Sequence, residues 1–372
     1  MRVALIHYWL VGMRGGERVL ESLCRLFPQA DIYTHVLDRS ALSERILRHT
    51  IRTTFINRLP RARTWYKQYL PLMPLALEQL DLRGYDLVVS SESGPAKGVL
   101  TGPACLHICY CHSPMRYLWD FYQQYLENAG LITGLALRIF APRLRLWDYA
   151  TAARVDHFIA NSRNVAERIH KYYCREAEVI PPPVDYQRFR PVEGRFLPTD
   201  RDTPYVLLGQ LVAYKRADLA VRAFNESGRR LLIVGDGEER KRLKALAQRN
   251  ITFLGRQGDE ETVRLLAGAR GLIFPGEEDF GIVPLEAQAC GRPVVAYGRG
   301  GALETVREGV TGVFFDEQTT NSLNAAVDRL EETYGMYDPQ TISDWAAQFD
   351  TAIFERKLKS CIEGWLNAKR AV

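Results

Sequence analysis

The run FPGEEDFGIVPLEAQACGRPVVAY, residues 274–297, decides how the rest of the chain is read. It opens on the tail of an apolar strand, residues 271–274. A loop crowded with carboxylates follows, Glu277, Glu278 and Asp279. Gly281 supplies a turn, and Pro284 is expected at the first helical position, where its missing N–H has no partner to lose. The helix is expected to run to Cys290 and stop at Gly291, with a buried strand over 293–297. Strand, acidic loop, helix, strand is one βαβ step of a parallel sheet. Ligands of such sheets bind beyond the carboxyl ends of the strands, where this loop lies.

The free N–H groups around Gly281, Ile282 and Val283 sit at a helix N-terminus, which attracts phosphate. Glu278 and Glu286 flank them with seven residues between. Carboxylates beside an anion site fit a ligand that also offers hydroxyls, as a ribose or a sugar does. The loop therefore points to a sugar joined to a phosphate.

At this point EEDFGIVPLEAQACGRPVV, residues 277–295, resembles the glutamate, seven residues, glutamate signature of retaining GT-B glycosyltransferases, especially family 4. The competing reading is a solvated acidic turn before an ordinary helix. The resemblance implies an α/β fold of two doubly wound Rossmann-like domains facing a central cleft. It implies donor contacts at Phe280, Gly281, Ile282, Val283 and Glu286, with Glu278 on the donor sugar.

Composition is compatible with this. The chain has 372 residues, enough for two domains, with 47% hydrophobic and 25% charged residues. A net charge of +5 is too mild to argue for nucleic acid, but it allows an anionic substrate or membrane surface. Seven cysteines, an odd number mostly in apolar runs, read as reduced thiols in a cytoplasm. MRVALIHYWLVGM, residues 1–13, has no small-residue cleavage site after it and reads as a first strand, expected over 2–7. No apolar run reaches the ~20 residues that span a bilayer. The expected location is cytoplasmic, with or without peripheral attachment to the inner face of a membrane.

VGMRGGE, residues 11–17, reads as a loop whose Gly15 and Gly16 bring backbone close to a ligand, before a helix over 17–26. The spacing does not fit the dinucleotide fingerprint G-x-G-x-x-G. It resembles the GG loop of family 4, and a plain structural turn is the alternative. Residues 51–77 carry Arg52, Arg58, Arg61, Arg63 and Lys67 with no acid, interleaved with Phe55, Trp65, Tyr66 and Tyr69. Two readings stand side by side: docking on an anionic membrane, or a packed helix pair with a solvated basic face.

CLHICYCH, residues 105–112, looks at first like a metal site. A strand strings residues 105, 107, 109 and 111 out at ~6.6 Å per pair, so they cannot close on one ion. No metal is expected. His112 begins HSPMRYLWD at the strand's carboxyl end. In the resembled family this histidine sits near the donor sugar. With Arg116, Tyr117 and Trp119 it resembles the mannosyltransferase-like branch that builds bacterial surface polysaccharide. Residues 130–146 are apolar with Arg138, Arg143 and Arg145 and no acid; they help to hold a lipid-linked acceptor or form a core helix.

Residues 181–204, rich in proline and charge, are the best boundary in the chain. The expected domains are 1–185, with the terminal helix 351–372 packing back on it, and 200–345. The second opens with a strand at 205–208 and GQLVAYKRADLAVRAF, residues 209–224. Lys215 just beyond a strand can reach a phosphate. The run resembles the family's donor-phosphate motif, which usually has arginine where this chain has Gln210. Lys215 is then the clearer cation, with Arg216 beside it. The turns at Gly235 and Gly237, and Arg256 after the strand 251–255, correspond to the family's nucleotide-base border. Gly300, Gly301 and Glu304 repeat the glycine-and-carboxylate theme.

The resemblance implies transfer of a hexose, mannose from GDP-mannose, with retention of configuration, to a saccharide acceptor in surface polysaccharide synthesis. Glu278, Lys215 and His112 are the expected catalytic residues, the nucleotide-sugar is a substrate, and no cofactor is needed. Arg58, Arg61, Arg63, Trp65, Arg116 and Tyr117 are expected on the acceptor or membrane side. The rivals are a nucleotide-sugar epimerase or phosphorylase on the same fold, and a non-catalytic paralogue serving a partner enzyme.

Overall fold

Short, almost wholly apolar runs fill the strands, as they must where helices cover both faces of a parallel sheet. A computed structural model describes residues 1–127, 129–191, 196 and 199–370, and at 132 the backbone alone. Residues 192–195 and 197–198 of the expected boundary, and residues 371–372 of the expected terminal helix, lie outside the described residues. The chain divides into two units, Met1–Pro183 with Phe354–Val372, and Val184–Ile353.

The first unit holds β1 (Val3–His7), β2 (Asp31–Thr34), β3 (Ile51–Thr53), β4 (Leu87–Glu92), β5 (Leu106–Cys111), β6 (His157–Ala160) and β7 (Ala177–Val179). They form one sheet in the order β3-β2-β1-β4-β5-β6-β7, every pair parallel. The order reverses between β1 and β4, so the loops after these strands diverge and leave a crevice at their carboxyl ends. Register there pairs His7 with Ser91 and Glu92 with Cys111. The core includes Leu5, Val19, Leu23, Val89 and Ile108. Phe354, Leu358 and Ile362 of the final helix, Thr351–Arg370, are buried in the same cluster.

The second unit holds β8 (Tyr205–Leu208), β9 (Leu231–Val234), β10 (Ile251–Gly255), β11 (Leu272–Phe274), β12 (Val294–Tyr297) and β13 (Gly312–Phe315). The order is β10-β9-β8-β11-β12-β13, again all parallel. Its reversal lies between β8 and β11. The loops after these two strands are the Gln210–Lys215 run and the acidic loop.

Several local expectations are corrected. The helix after β11 is Ile282–Ala289 with Gly281 as N-cap, so Pro284 is its third residue rather than its first. That position is still tolerated, because the first four N–H groups of a helix have no intrahelical acceptor. Gly15 and Gly16 are the first turn of the helix Gly15–Leu26, not a loop before it. Residues 51–77 are not a helix pair. They form β3, then short helical turns at Phe55–Arg58, Ala62–Trp65, Tyr66–Leu72 and Met73–Glu78. Pro60, Pro71 and Pro74 keep any one of them from growing long. Residues 130–146 belong to the helix Leu131–Ala152, but it is not a core helix. Ala141 and Leu144 are buried, while Leu131, Leu135, Ile139, Phe140 and Leu146 are exposed.

Candidate active site

In the second unit the two loops at the strand-order reversal bring opposite charges together. Lys215 ends a tight turn, Ala213–Lys215, after β8. Glu278 stands in the loop after β11. Lys215 Nζ and Glu278 Oε1 are 2.7 Å apart, both side chains about one-fifth exposed. The loops touch through backbone as well. A Cβ on Gly276 would fall 2.7 Å from Lys215 Cα, so only glycine lets them approach. A third loop, after β12, locks the arrangement. Gly301 N–H donates to the Glu278 carbonyl at 2.8 Å, and a Cβ on Gly301 would lie 2.2 Å from Phe280 Cα.

Gly281 adopts φ 97°, the left-handed region open to glycine. Half-exposed Ile282 and Val283 form the first turn of the helix. Glu286 lies one turn further on, half-buried. An anion at this helix N-terminus would meet free N–H groups and the positive end of the helix dipole, with Lys215 supplying a full charge. In the unliganded chain Glu278 neutralises that charge.

Arg216 has a different setting. Its guanidinium donates to Asp218 Oδ1 at 3.2 Å and to Gln318 Oε1 at 2.9 Å, and Gln318 Nε2 donates to the Pro275 carbonyl at 2.9 Å. Arg216 thus braces the Lys215 turn against the acidic loop. Gln210 and Arg256 are exposed at the carboxyl edge. Gly235 and Gly237 are glycine because the loop after β9 crosses the loop after β8. A Cβ on either would lie about 2 Å from a carbonyl oxygen there, at 1.9 Å from Gly209 O and 2.2 Å from Leu211 O.

In the first unit the reversal gathers polar groups that sequence reasoning missed, apart from His112. His7 Nδ1 lies 3.1 Å from Ser91 Oγ, and Ser91 Oγ lies 2.8 Å from His112 Nε2. Buried Glu17 approaches the other nitrogen of His7, Oε1 to Nε2 at 3.8 Å. Burial, then neighbouring His7, push the His112 pKa down to about 3. The glycine at 16 serves packing, since a Cβ there would lie 2.4 Å from the Tyr8 hydroxyl. Strand register is what joins His7 to Ser91, and no local pattern carries register.

Beside this cluster lies a buried charge network, also missed. Lys97, Glu92 and Asp148 are each fully buried. Lys97 Nζ donates to Glu92 Oε1 at 2.8 Å and also pairs with Asp148. Tyr173 and the Trp119 indole both donate to Asp148 Oδ2 at 2.8 Å. Burial depresses the Lys97 ammonium, but the Asp148 and Glu92 carboxylates outweigh it and hold its pKa above the ordinary value. Burial raises Glu92 in spite of Lys97. The network pins Trp119 and with it the segment after His112. The Tyr117 hydroxyl in that segment is buried without a hydrogen-bond partner among the described residues, and Arg116 lies over the Phe121 ring at 5.1 Å.

Arg58, Arg61, Arg63 and Trp65 are all exposed. Arg61 stacks over the Trp65 ring at 4.9 Å, and Arg63 approaches Asp38 at 4.0 Å. Among the described residues no group of three or more His, Cys, Asp or Glu is placed to hold a metal ion.

Two βαβ sheets of this order, each with its polar groups at the reversal, define a class, and comparison with known proteins agrees. Residues 13–188 match Glycosyltransferase Family 4, and residues 195–341 match Glycosyl transferases group 1. The two models match separate halves of the chain, and the two Rossmann-like sheets have the GT-B fold. It is similar to the D-inositol 3-phosphate glycosyltransferase of Mycolicibacterium paratuberculosis, 33% identical over 209 residues, 50% of this chain and 46% of that one. The same enzyme of Mycobacterium sp. (strain KMS) is 31% identical over 226 residues, 55% of this chain and 51% of that one. The chain thus spans about half the length of these curated relatives. Among solved structures, sucrose-phosphate synthase of Thermosynechococcus elongatus superposes with TM-score 0.74 at 20% identity, covering 99% of this chain and 100% of that one. HepE of Anabaena in complex with UDP-glucose gives 0.72 at 18%, covering 98% and 100%. These two likenesses bear on the fold.

Proposed function

We propose that the chain transfers a hexose from a nucleotide-sugar to a saccharide acceptor with retention of configuration. The Lys215–Glu278 pair at the reversal between β8 and β11 carries this reading. A departing diphosphate gathers negative charge as the glycosidic bond breaks. Lys215 and the helix N-terminus at Gly281 are preorganised cations for it. When the diphosphate takes over Lys215, Glu278 is released toward sugar hydroxyls, and Glu286 accepts from ribose. The leaving phosphate takes the acceptor's proton, so no metal or cofactor enters. The donor is proposed to be GDP-mannose, on the resemblance of HSPMRYLWD, residues 112–120. A uridine donor is the second reading, favoured by HepE, whose solved complex holds UDP-glucose. A thermal-shift panel of nucleoside diphosphates separates them, since a bound ligand raises the melting temperature. The largest rise is expected with GDP; a rise with UDP alone selects the second reading, and none with any diphosphate overturns the donor site. An acceptor-free incubation that yields a new nucleotide-sugar would identify an epimerase instead.

The two glutamates are expected to fail differently. A hydrogen bond to a charged group is worth roughly 1.5–3 kcal/mol, at about 1.4 kcal/mol per decade. Glu286→Ala therefore weakens bare nucleoside diphosphate by about ten- to a hundredfold. Glu278→Gln removes the carboxylate that competes with the diphosphate for Lys215, so the bare diphosphate binds at least as tightly as before, while turnover of intact donor falls. Calorimetry beside initial rates measures both. Loss of diphosphate affinity in Glu278→Gln would sink this division of labour.

We further propose that the acceptor is lipid-linked and that the first unit rests on the cytoplasmic face of an anionic membrane. Leu131, Leu135 and Ile139 recur every fourth residue on one face of their helix and are exposed, Leu131 at 95%. Leu72, Leu75 and Trp65 of the basic segment are exposed too, and Leu70 of that segment packs against buried Ala141 and Leu144 of the helix. Among the described residues no helix is long and apolar enough to cross a membrane. Each basic residue near an anionic surface contributes about 1 kcal/mol. Arg58→Glu with Arg61→Glu is expected to reduce liposome co-sedimentation about tenfold or more at low salt, and salt should erase the difference. Wild-type protein that ignores anionic liposomes at low salt would return the segment to ordinary packing.

A further inference from the structure

Three strand ends in the first unit put His7, Ser91 and His112 in one hydrogen-bonded row, and Glu17 closes it. Ser91 Oγ lies within hydrogen-bond distance of both rings, 3.1 Å from His7 Nδ1 and 2.8 Å from His112 Nε2. A hydroxyl has one proton to give. If Ser91 donates to one ring, the other must donate to Ser91 or leave a buried contact between lone pairs. Two neutral rings in such a row are therefore locked in opposite senses. Either Ser91 donates to His7 and His112 Nε2–H donates to Ser91, or the reverse.

Glu17 decides between them. Its Oε2 accepts the Arg14 backbone N–H at 3.0 Å, the reciprocal bond of a helix-capping box. Its Oε1 then faces His7 Nε2 at 3.8 Å. That nitrogen is buried and has no hydrogen-bond partner among the described residues. Both residues are almost wholly excluded from water, so the field of the carboxylate is little screened. A proton on Nε2 meets attraction there, and a bare lone pair meets repulsion. His7 thus keeps its proton on Nε2, its Nδ1 accepts from Ser91, and Ser91 accepts from His112 Nε2–H. The remaining nitrogen of His112, Nδ1, is bare and makes no hydrogen bond among the described residues. The residue is mostly buried and only partly exposed, and its backbone is held on both sides. Its backbone N–H donates to the Glu92 carbonyl at 2.7 Å, and its carbonyl accepts from Asn161 Nδ2 at 2.9 Å.

We propose that Glu17, acting through His7 and Ser91, fixes His112 in the tautomer with Nδ1 bare, so that His112 accepts a hydrogen bond from a hydroxyl of the bound sugar. Glu17, His7 and Ser91 are positioning residues and touch no substrate themselves. The tautomer stands on the geometry alone; the sugar hydroxyl rests on the glycosyl-transfer reading.

Long-range ¹⁵N–¹H spectra of protein labelled at histidine nitrogen distinguish bare from protonated ring nitrogens and need no turnover. Loss of signals in His112→Gln and His7→Gln assigns the two rings. The wild type is expected to show His112 protonated at Nε2 and bare at Nδ1; the opposite pattern overturns the proposal. In Glu17→Gln the Arg14 N–H holds the amide oxygen, so the amide N–H₂ faces His7. The whole row should then invert and protonate His112 Nδ1, and an unchanged pattern overturns the relay. Ser91→Ala cuts the row, so adding Glu17→Gln to it should leave the His112 signals where Ser91→Ala alone puts them. Should Glu17→Gln fail to fold, His7→Phe serves. Ser91 then has only His112 Nε2 to donate to, and the same inversion is expected. With sugar donor, Glu17→Gln should lower kcat/KM by roughly tenfold, the loss of one ordinary hydrogen bond, with nucleoside diphosphate affinity unchanged. Inversion in the spectra without any kinetic change would keep the relay and overturn the sugar contact.

Discussion

Replacing Lys215 with alanine is expected to lower turnover by about a hundredfold or more at saturating donor, with little change in melting temperature. The cation stands 2.7 Å from Glu278 at the one place in the second unit where two strand-end loops diverge. Removing a preorganised charge from a developing oxyanion commonly costs this much. Stability should hardly move, because the pair is partly exposed and such pairs contribute little to folding. Lys215→Arg keeps the charge but replaces a compact ammonium with a planar fork, in a turn already packed against Gly276. It should recover only part of the loss. Steady-state rates at saturating donor, beside a thermal melt, check both statements. Near-normal turnover in Lys215→Ala would remove the residue from the mechanism.

The second large effect is on folding. Lys97→Met should destabilise the first unit by about 3–5 kcal/mol, the usual cost of removing one member of a buried ion cluster. Glu92 and Asp148, both fully buried, would face each other with no cation. Urea unfolding followed by tryptophan fluorescence is suitable, because the Trp119 indole donates to Asp148 itself. Burial already holds the Glu92 carboxyl above its ordinary pKa. Loss of Lys97 raises it further, so the folded variant binds protons that the unfolded chain has released. Its deficit relative to wild type should therefore be largest near neutral pH and shrink as pH falls through the raised pKa toward the ordinary carboxylate value. Neutralising the partners as well, in Lys97→Met with Glu92→Gln and Asp148→Asn, should restore much of the loss. A deficit under about 1 kcal/mol in Lys97→Met would mean that water reaches the cluster.

The parts of this molecule that could be read from its sequence are those written in consecutive residues. The acidic loop, the helix after Gly281 and the strand at 294–297 follow one another within a single βαβ step, and the period of apolar residues locates them. The cap of the helix Arg163–Tyr173 is equally local: Ser162 accepts the Val165 N–H at 3.1 Å. The helix start at Ile282 was misplaced by two residues because proline is tolerated anywhere among the first unpaired N–H groups. The helix-pair alternative for the basic segment fails because three prolines divide a run whose composition suits a helix. Residues 131–152 were harder. Apolar composition says that a face must be covered, but not by what, and here the chain leaves much of it exposed. The polar row at His7, Ser91 and His112, and the Lys97 cluster, join residues between 21 and 84 positions apart for the former and up to 76 for the latter. Such contacts arise from strand order and register, for which a single sequence carries no local sign. Lys97 lies in SGPAKGVL, residues 93–100, where a lone lysine among small residues looks like surface.

The core of the first unit is built from both ends of the chain. Phe354, Leu358 and Ile362 join the cluster made by Leu5, Val19 and Ile108, while residues 184–353 form the other unit in between. On a ribosome the two units therefore mature in the reverse of their order of appearance. The middle unit is contiguous and has everything it needs once residue 353 has emerged. The first must wait, with its sheet already synthesised but one wall of its interior missing, until the last helix arrives. During that wait its apolar surface is exposed to other nascent chains and to chaperones. Damage at the distal end of the message would thus be felt at the proximal half of the protein. A frameshift after codon 353 spares the unit that was made last and ruins the one that was made first.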